Sequence, residues 1–389
     1  MPTSHRHPIH LPTELVVLVV SFAAADELVR RQQTLYACCL VSRQWYSAAI
    51  SGLYEKPLLN SGAAFQSFTT TISPPIGARK SKVNLGSLVH RLDLSGLVHH
   101  SSPSLTARLL GRIKEHLEVF IAPRVSFSGN SLPALSKCLH LRYLDLSLVG
   151  DPVAFPSLKK ALSNLPQLAS LRLPQSSVLT GDTFRNEHRR SNSNDNNTEP
   201  AWPPHLHRLQ VSGRFSPHQI PLFIWPSALT SLTLKNCVDL SVENIGSLMS
   251  SPQLGQLKRL TISNANRHLH PDSINAIPAF LPSLIFLSVP GDLIEDTFFD
   301  MLHHMIPPLA LETLEFGYPH LDASLNFSTK ALVQTLETGL ANLRAVGFSE
   351  LFCSDQRIQE DEEIDDLLER RAAEQDGASG EFDVGVYYM

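Results

Sequence analysis

One pattern constrains this chain more than any other. It is an octet L-x-x-L-x-L-x-x, with conservative apolar swaps, that recurs ten times. The octets begin at Val89 (VHRLDLSG), Ala122 (APRVSFSG), Leu141 (LRYLDLSL), Leu168 (LASLRLPQ) and Leu206 (LHRLQVSG). They continue at Leu229 (LTSLTLKN), Leu257 (LKRLTISN), Leu284 (LIFLSVPG), Leu311 (LETLEFGY) and Leu343 (LRAVGFSE). Five of the nine intervals between starts span 23 to 28 residues, and the others span 19, 32, 33 and 38. The two apolar residues of L-x-L flank one outward residue on a short strand, and the leading Leu closes the turn before it. Helical spacing fills the intervals, as in Ser104–Phe120, Asp296–Ile306 and Ser328–Leu340. One strand and one helix cannot bury their apolar faces alone, so successive units must stack. The expected fold class is α/β, an irregular solenoid of about ten units over residues 85–352, with parallel strands on the concave face and helices on the convex face.

The outward positions of the frames, its third, fifth and seventh residues, are the natural binding surface of such an array. They include Arg91, Asp93, Arg124, Tyr143 and Asp145 early, and Phe286, Ser288, Thr313, Glu315 and Gly347 late. Between them Arg172, Arg208, Lys235 and Arg259 supply four cations and no acid. A positive stripe there would suit an acidic or phosphorylated target, since Arg binds phosphate bidentately. Ordinary solvated strands would present the same residues. The 38-residue interval contains Gly181–Pro204, rich in Ser, Asn, Asp and Arg, which reads as a disordered insertion whose RNEHRR run is either solvated or a partner contact.

Ahead of the frames, residues 9–59 follow a different logic, after a flexible stretch over 1–8. Pro12 suits a helix start, and Glu14 is favourable near a helix N-terminus. Leu15, Leu18, Val19 and Phe22 recur at i, i+3, i+4 and i+7, the expected buried stripe, which leaves Val16, Val17 and Val20 on the opposite face. Leu35, Cys39, Trp45, Ala49 and Leu53 supply two further short helices. An apolar face left over on so small a module marks a partner surface, unless it packs on the following domain. Residues 60–84 are rich in Ser, Thr, Gly and Pro and read as a linker that could hold one short helix around Ala63–Thr70.

The frame and its period resemble those of leucine-rich repeats. The stretch LPTELVVLVVSF … CLVSRQWYSAA … LYEKPLL resembles the F-box, by which substrate receptors dock on the Skp-type adaptor of cullin–RING ubiquitin ligases. The matching residues are Leu11, Pro12, Glu14, Leu15, Leu40, Val41 and Trp45; the stretch before Trp45 is longer than usual, around Ala24–Gln33. The resemblance implies an adaptor contact through Leu11, Pro12, Leu15, Val16, Leu40, Val41 and Trp45. It also implies a target held by the repeats and ubiquitin chemistry carried out by other subunits. The alternative is a repeat scaffold that no longer engages a ligase.

Composition agrees with a non-catalytic reading. The chain has 389 residues and a formal net charge of −5. Twelve acidic residues and three arginines after residue 354 make the tail, residues 353–389, strongly acidic and the remainder mildly basic. That tail reads as an exposed helix followed by a disordered end, or as a segment folding back on the basic face. Five cysteines form no C-x-x-C pair and read as free thiols. The apolar run Leu15–Asp26 imitates a signal peptide, but Glu14 beside it argues for a cytoplasmic or nuclear chain. No nucleotide, nucleophile-elbow or zinc-protease motif occurs, and seventeen histidines show no ligand set, so neither enzyme activity nor a cofactor or metal is expected. Nucleic acid and membrane are not expected partners.

Overall fold

The computed structural model describes residues 11–25, 27–74, 83–97, 103–179, 200–215, 223–238, 240–263, 269–321, 324–353, 358, 361–375 and 384–389. The RNEHRR run and the flexible N-terminal stretch lie outside them. The chain divides into two compact units, residues 1–144 and 145–389.

The first unit opens with α1 (Thr13–Ala23), α2 (Leu28–Val41) and α3 (Arg43–Glu55). Pro12 is the N-cap of α1, and its carbonyl accepts from the N–H groups of Leu15 and Val16. Ser42 is extended, which ends α2, and its hydroxyl accepts from Trp45 N–H to start α3. Val16 and Val20 are buried with Leu35 and Ala49, and Trp45, Cys38, Cys39 and Leu53 pack around them. This reverses the expected stripe: Leu15, Leu18, Val19 and Phe22 are exposed, whereas Val16 is fully buried. The physical reason is that α1 is apolar all round. Periodicity then identifies two stripes without saying which one meets small partners such as Ala49 across the helix pair.

The lengthened stretch before Trp45 ends in α2, and it supplies a cross-link. Arg31 is buried, and its guanidinium donates to Glu55 Oε2 at 2.9 Å and Gly52 O at 3.1 Å, joining α2 to α3. Within 60–84, α4 (Gly62–Ile72) is capped by Ser61 and buries Phe65, Phe68, Thr69 and Ile72. That segment therefore contributes core as well as connection.

The first strands of the repeats are β1 (Arg91–Asp93), β2 (Val119–Ile121) and β3 (Tyr143–Asp145), whose last residue is the first of the second unit. The second frame is displaced from its expected place. Arg91 and Asp93 align with Val119 and Ile121, so the frame starts at Leu117 and its inward residues are Phe120 and Ala122. Val125, the fourth residue of the octet at Ala122, is exposed. Starting at Leu117 turns the anomalous intervals of 33 and 19 residues into 28 and 24. Arg124 accordingly leaves the strand face.

The second unit carries β4 (Ser170–Arg172), β5 (Val178–Leu179), β6 (Arg208–Phe215), β7 (Ser231–Cys237) and β8 (Arg259–Ser263). After these come β9 (Phe286–Pro290), β10 (Thr313–Gly317), β11 (Ala345–Phe348) and β12 (Gly385–Tyr388). All pair in parallel, and β4 and β6 to β12 follow chain order, with β5 paired to β6. One hydrogen-bond device recurs in six successive frames of this unit, those of Ala169, His207, Thr230, Lys258, Ile285 and Glu312. The carbonyl at the second position accepts two N–H groups from the next repeat, as His207 O does from Thr230 and Ser231, and Thr230 O from Lys258 and Arg259. Inward residues such as Leu232, Leu260, Leu287 and Leu314 are fully buried.

Two described parts of the acidic tail, residues 361–375 and 384–389, pack into this unit. Helix Asp361–Gln375 buries Ile364 and Leu368, and β12 extends the sheet from β11. Asp365 Oδ1 accepts from Val386 N–H at 2.7 Å, and Arg371 donates to Leu340 O at 2.8 Å. Gly385, at φ +109, fits where a Cβ would lie 2.3 Å from Asp365 Oδ1. The helix expected there is present but anchored by two buried aliphatics one turn apart, and Gly385–Tyr388 form a strand where a disordered end was expected; residues 376–383 lie outside the described residues.

Candidate docking module and recognition face

In the first unit the helices leave a broad apolar surface uncovered. Leu15, Leu18, Val19 and Phe22 line one side of α1, with Phe22 at 72% exposure, and Leu11 precedes them. Leu40 and Val41 end α2 at 70% and 64% exposure. Burying a side chain of this size releases about 1.5–3 kcal/mol, so a partner covering several would bind firmly. Gln44 holds the entry to α1 in place: its Nε2 donates to Leu11 O at 2.9 Å and Thr13 Oγ1 at 3.1 Å. Of the residues expected to meet an adaptor, Leu11, Pro12, Leu15, Leu40 and Val41 are exposed. Trp45 is half-buried against the core, and Val16 lies wholly within it. Gln44 had no distinguishing signal in the sequence, since its role depends on where α3 meets the start of α1.

The strand face of the second unit is organised by register. Arg208, Ser231, Arg259 and Phe286 form one row across β6 to β9. Arg172, Gln210, Thr233, Thr261 and Ser288 form the next, and Lys235 pairs with Ser263 in a third. The four cations therefore occupy three rows and not one stripe. Arg172 is matched by Asp145, Nη1 to Oδ2 at 3.1 Å. Arg259 lies over the Phe286 ring, its guanidinium carbon 3.7 Å from the centroid. Arg208, Lys235 and Arg259 pair with no carboxylate among the described residues.

The acids at outward positions are structural. Asp145 accepts from Ser147 N–H and Oγ at 2.9 and 2.6 Å, and Asp93 makes the same turn with Ser95. Burial alone would raise the Asp93 carboxyl, but hydrogen bonds from Ser95 and Arg91 hold it below the usual carboxylate range. Glu315 accepts from Tyr387 OH at 2.7 Å, across Gly347. Phe286 and Ser288 are buried rather than outward contacts.

Burial pushes the thiols of Cys138 and Cys237 up to about 12, which keeps both protonated. Among the described residues no three His, Cys, Asp or Glu side chains gather as metal ligands. No described helix is long and apolar enough to cross a membrane.

No family model matches the chain. It is 31% identical over 254 residues to F-box protein YDR306C of Saccharomyces cerevisiae, covering 65% of this chain and 48% of that protein. The chain is thus similar to a protein that carries the name of an F-box protein. It spans about half the length of that budding-yeast relative. A second relative, Protein pof5 of Schizosaccharomyces pombe, is 26% identical over 263 residues, covering 67% of this chain and 68% of pof5. Among solved structures, a chain of the yeast Rad7 and Elc1 complex aligns over 96% of this chain and 92% of its own length. Its TM-score is 0.45 and its identity 13%. The fold itself rests on the parallel strands and recurring frames described above.

Proposed function

We propose that this chain is the substrate-recognition subunit of an SCF-type ubiquitin ligase, with the helical module docking the Skp-type adaptor and the repeats holding a target protein. The observation that carries this reading is the uncovered apolar surface of Leu11, Leu15, Leu18, Phe22, Leu40 and Val41 on a module whose core is complete without them. Large exposed apolar surface on a small folded module is the mark of a protein partner. Likeness to a protein called an F-box protein supplies the kind of partner. Ubiquitin transfer is left to other subunits, so no residue here acts as acid, base or nucleophile. The setting in which such a complex works is the cytoplasm or nucleus.

The test is co-expression of the full chain with a Skp-type adaptor, followed by affinity purification. The two proteins should elute together, and Leu15→Asp with Leu40→Asp should abolish co-elution while leaving the helical content unchanged. Separate elution of the unaltered chain would favour a repeat scaffold that stands apart from any ligase.

A further inference from the structure

We propose that the first unit carries a groove between α2 and α4 that takes a proline-rich segment of a partner protein, held as an extended left-handed helix. The groove has a volume of about 380 Å³. Gln32, Gln33 and Tyr36 of α2 line one side, and Ser67 and Thr71 of α4 line the other. Tyr54 of α3 and Phe68 of α4 line it as well, their rings stacked with centroids 6.1 Å apart. Tyr36 is 59% exposed, so its ring is open to a ligand. It lies one turn before Leu40 on α2, yet none of the residues expected to meet the adaptor lines the groove.

Size and chemistry select the occupant. No charged side chain lines the groove among the described residues, so a phosphate or an acidic peptide would find no counterpart there. One helical turn with its side chains, about 10 Å across and about 5.4 Å long, fills roughly 420 Å³. The groove holds less than that, whereas a docked helix uses anchors spread over two turns. Strand addition needs an open sheet edge, and the two sides here are helices whose backbone groups bond within themselves. A polyproline helix escapes both limits. Three of its residues span about 9 Å, and its backbone makes no internal hydrogen bonds. Its rings pack on aromatic side chains, and its carbonyls accept from neutral donors such as the Gln32 and Gln33 amides and the Tyr36 hydroxyl. Burial pushes the Tyr54 phenol above the usual tyrosine range, so it too stays a neutral donor.

The experiment follows fluorescence anisotropy of a labelled decaproline peptide titrated with the full chain. A labelled Gly–Ser peptide and a labelled amphipathic Leu–Lys helix, both of the same length, are the controls. Decaproline should bind at least about tenfold more tightly than either control. Tyr36→Ala should weaken that binding at least about fivefold, as loss of an aromatic anchor does. Ser67→Trp, an exposed change on α4, should fill the groove and abolish binding while circular dichroism stays unchanged. Tyr318→Ala removes an exposed tyrosine from the second unit and should leave binding intact. Undetectable decaproline binding, equal affinity for the Gly–Ser peptide, or tighter binding of the helix would overturn the proposal. So would decaproline binding that survives both groove changes. Displacement of bound decaproline by a purified Skp-type adaptor would also overturn it, because the groove would then belong to the docking surface.

Discussion

Two glycines show how differently the same residue type is used. Gly213 has φ +108, and a Cβ there would lie 2.2 Å from Ser177 O, where β5 meets β6. Gly213→Ala should destabilise the second unit by about 1–3 kcal/mol. It should also speed hydrogen exchange at Arg214, whose N–H bonds Ser177 O, and urea unfolding with exchange mass spectrometry measures both effects. Gly111 sits within helix Pro103–Ile113 with nothing within 4 Å of its would-be Cβ, so Gly111→Ala should stabilise by about 0.5–1 kcal/mol. Asp93 makes a prediction about pH. Its folded pKa is depressed, so its contribution is present above about pH 4, the ordinary Asp value, and is lost as pH falls through the folded value. Asp93→Asn keeps an acceptor for Ser95 and removes the charge. The variant should lose less stability than the unaltered chain as pH falls from about 4, and an equal loss would remove Asp93 from the account.

Elements differ in how far the sequence announces them. The eight strands from β3 to β11, β5 aside, start within their expected frames because L-x-x-L-x-L ties burial to a fixed spacing, and β6 and β7 run on past theirs. The second frame slipped because Ala122, Val125 and Phe127 imitate the octet, and Val125 is resolved as outward only when β2 aligns with β1. The stripe on α1 was inverted for a related reason, since an all-apolar helix needs its neighbours to decide which side is core. The terminal strand was hidden because four residues without a leading Leu carry little periodic signal. Deleting residues 361–389 should uncover the surface beneath Ile364 and Leu368 and the edge of β11. The melting temperature of the second unit should fall by at least about 6 °C, from burial worth about 1.5–3 kcal/mol per aliphatic side chain. An unchanged melting temperature would mean that the tail does not contribute to the fold in solution.

For the whole molecule, the candidate site was legible in kind and not in detail. Exposed Leu11, Leu15, Leu40 and Val41 and the cations Arg208, Lys235 and Arg259 could be named from the sequence. Their grouping could not, because pairing of Arg172 with Asp145 and stacking of Arg259 on Phe286 depend on register across strands. The central claim is that docking and recognition belong to separate surfaces. Calorimetric titration of the full chain with a purified Skp-type adaptor tests it most directly. Leu15→Asp with Leu40→Asp should weaken binding at least about 100-fold, since two large apolar contacts are replaced by buried charge. Arg208→Glu with Arg259→Glu should leave the affinity within about twofold, as expected for surface changes outside the contact. Undetectable binding by the unaltered chain, or equal affinity in the Leu15 and Leu40 variant, would contradict the account.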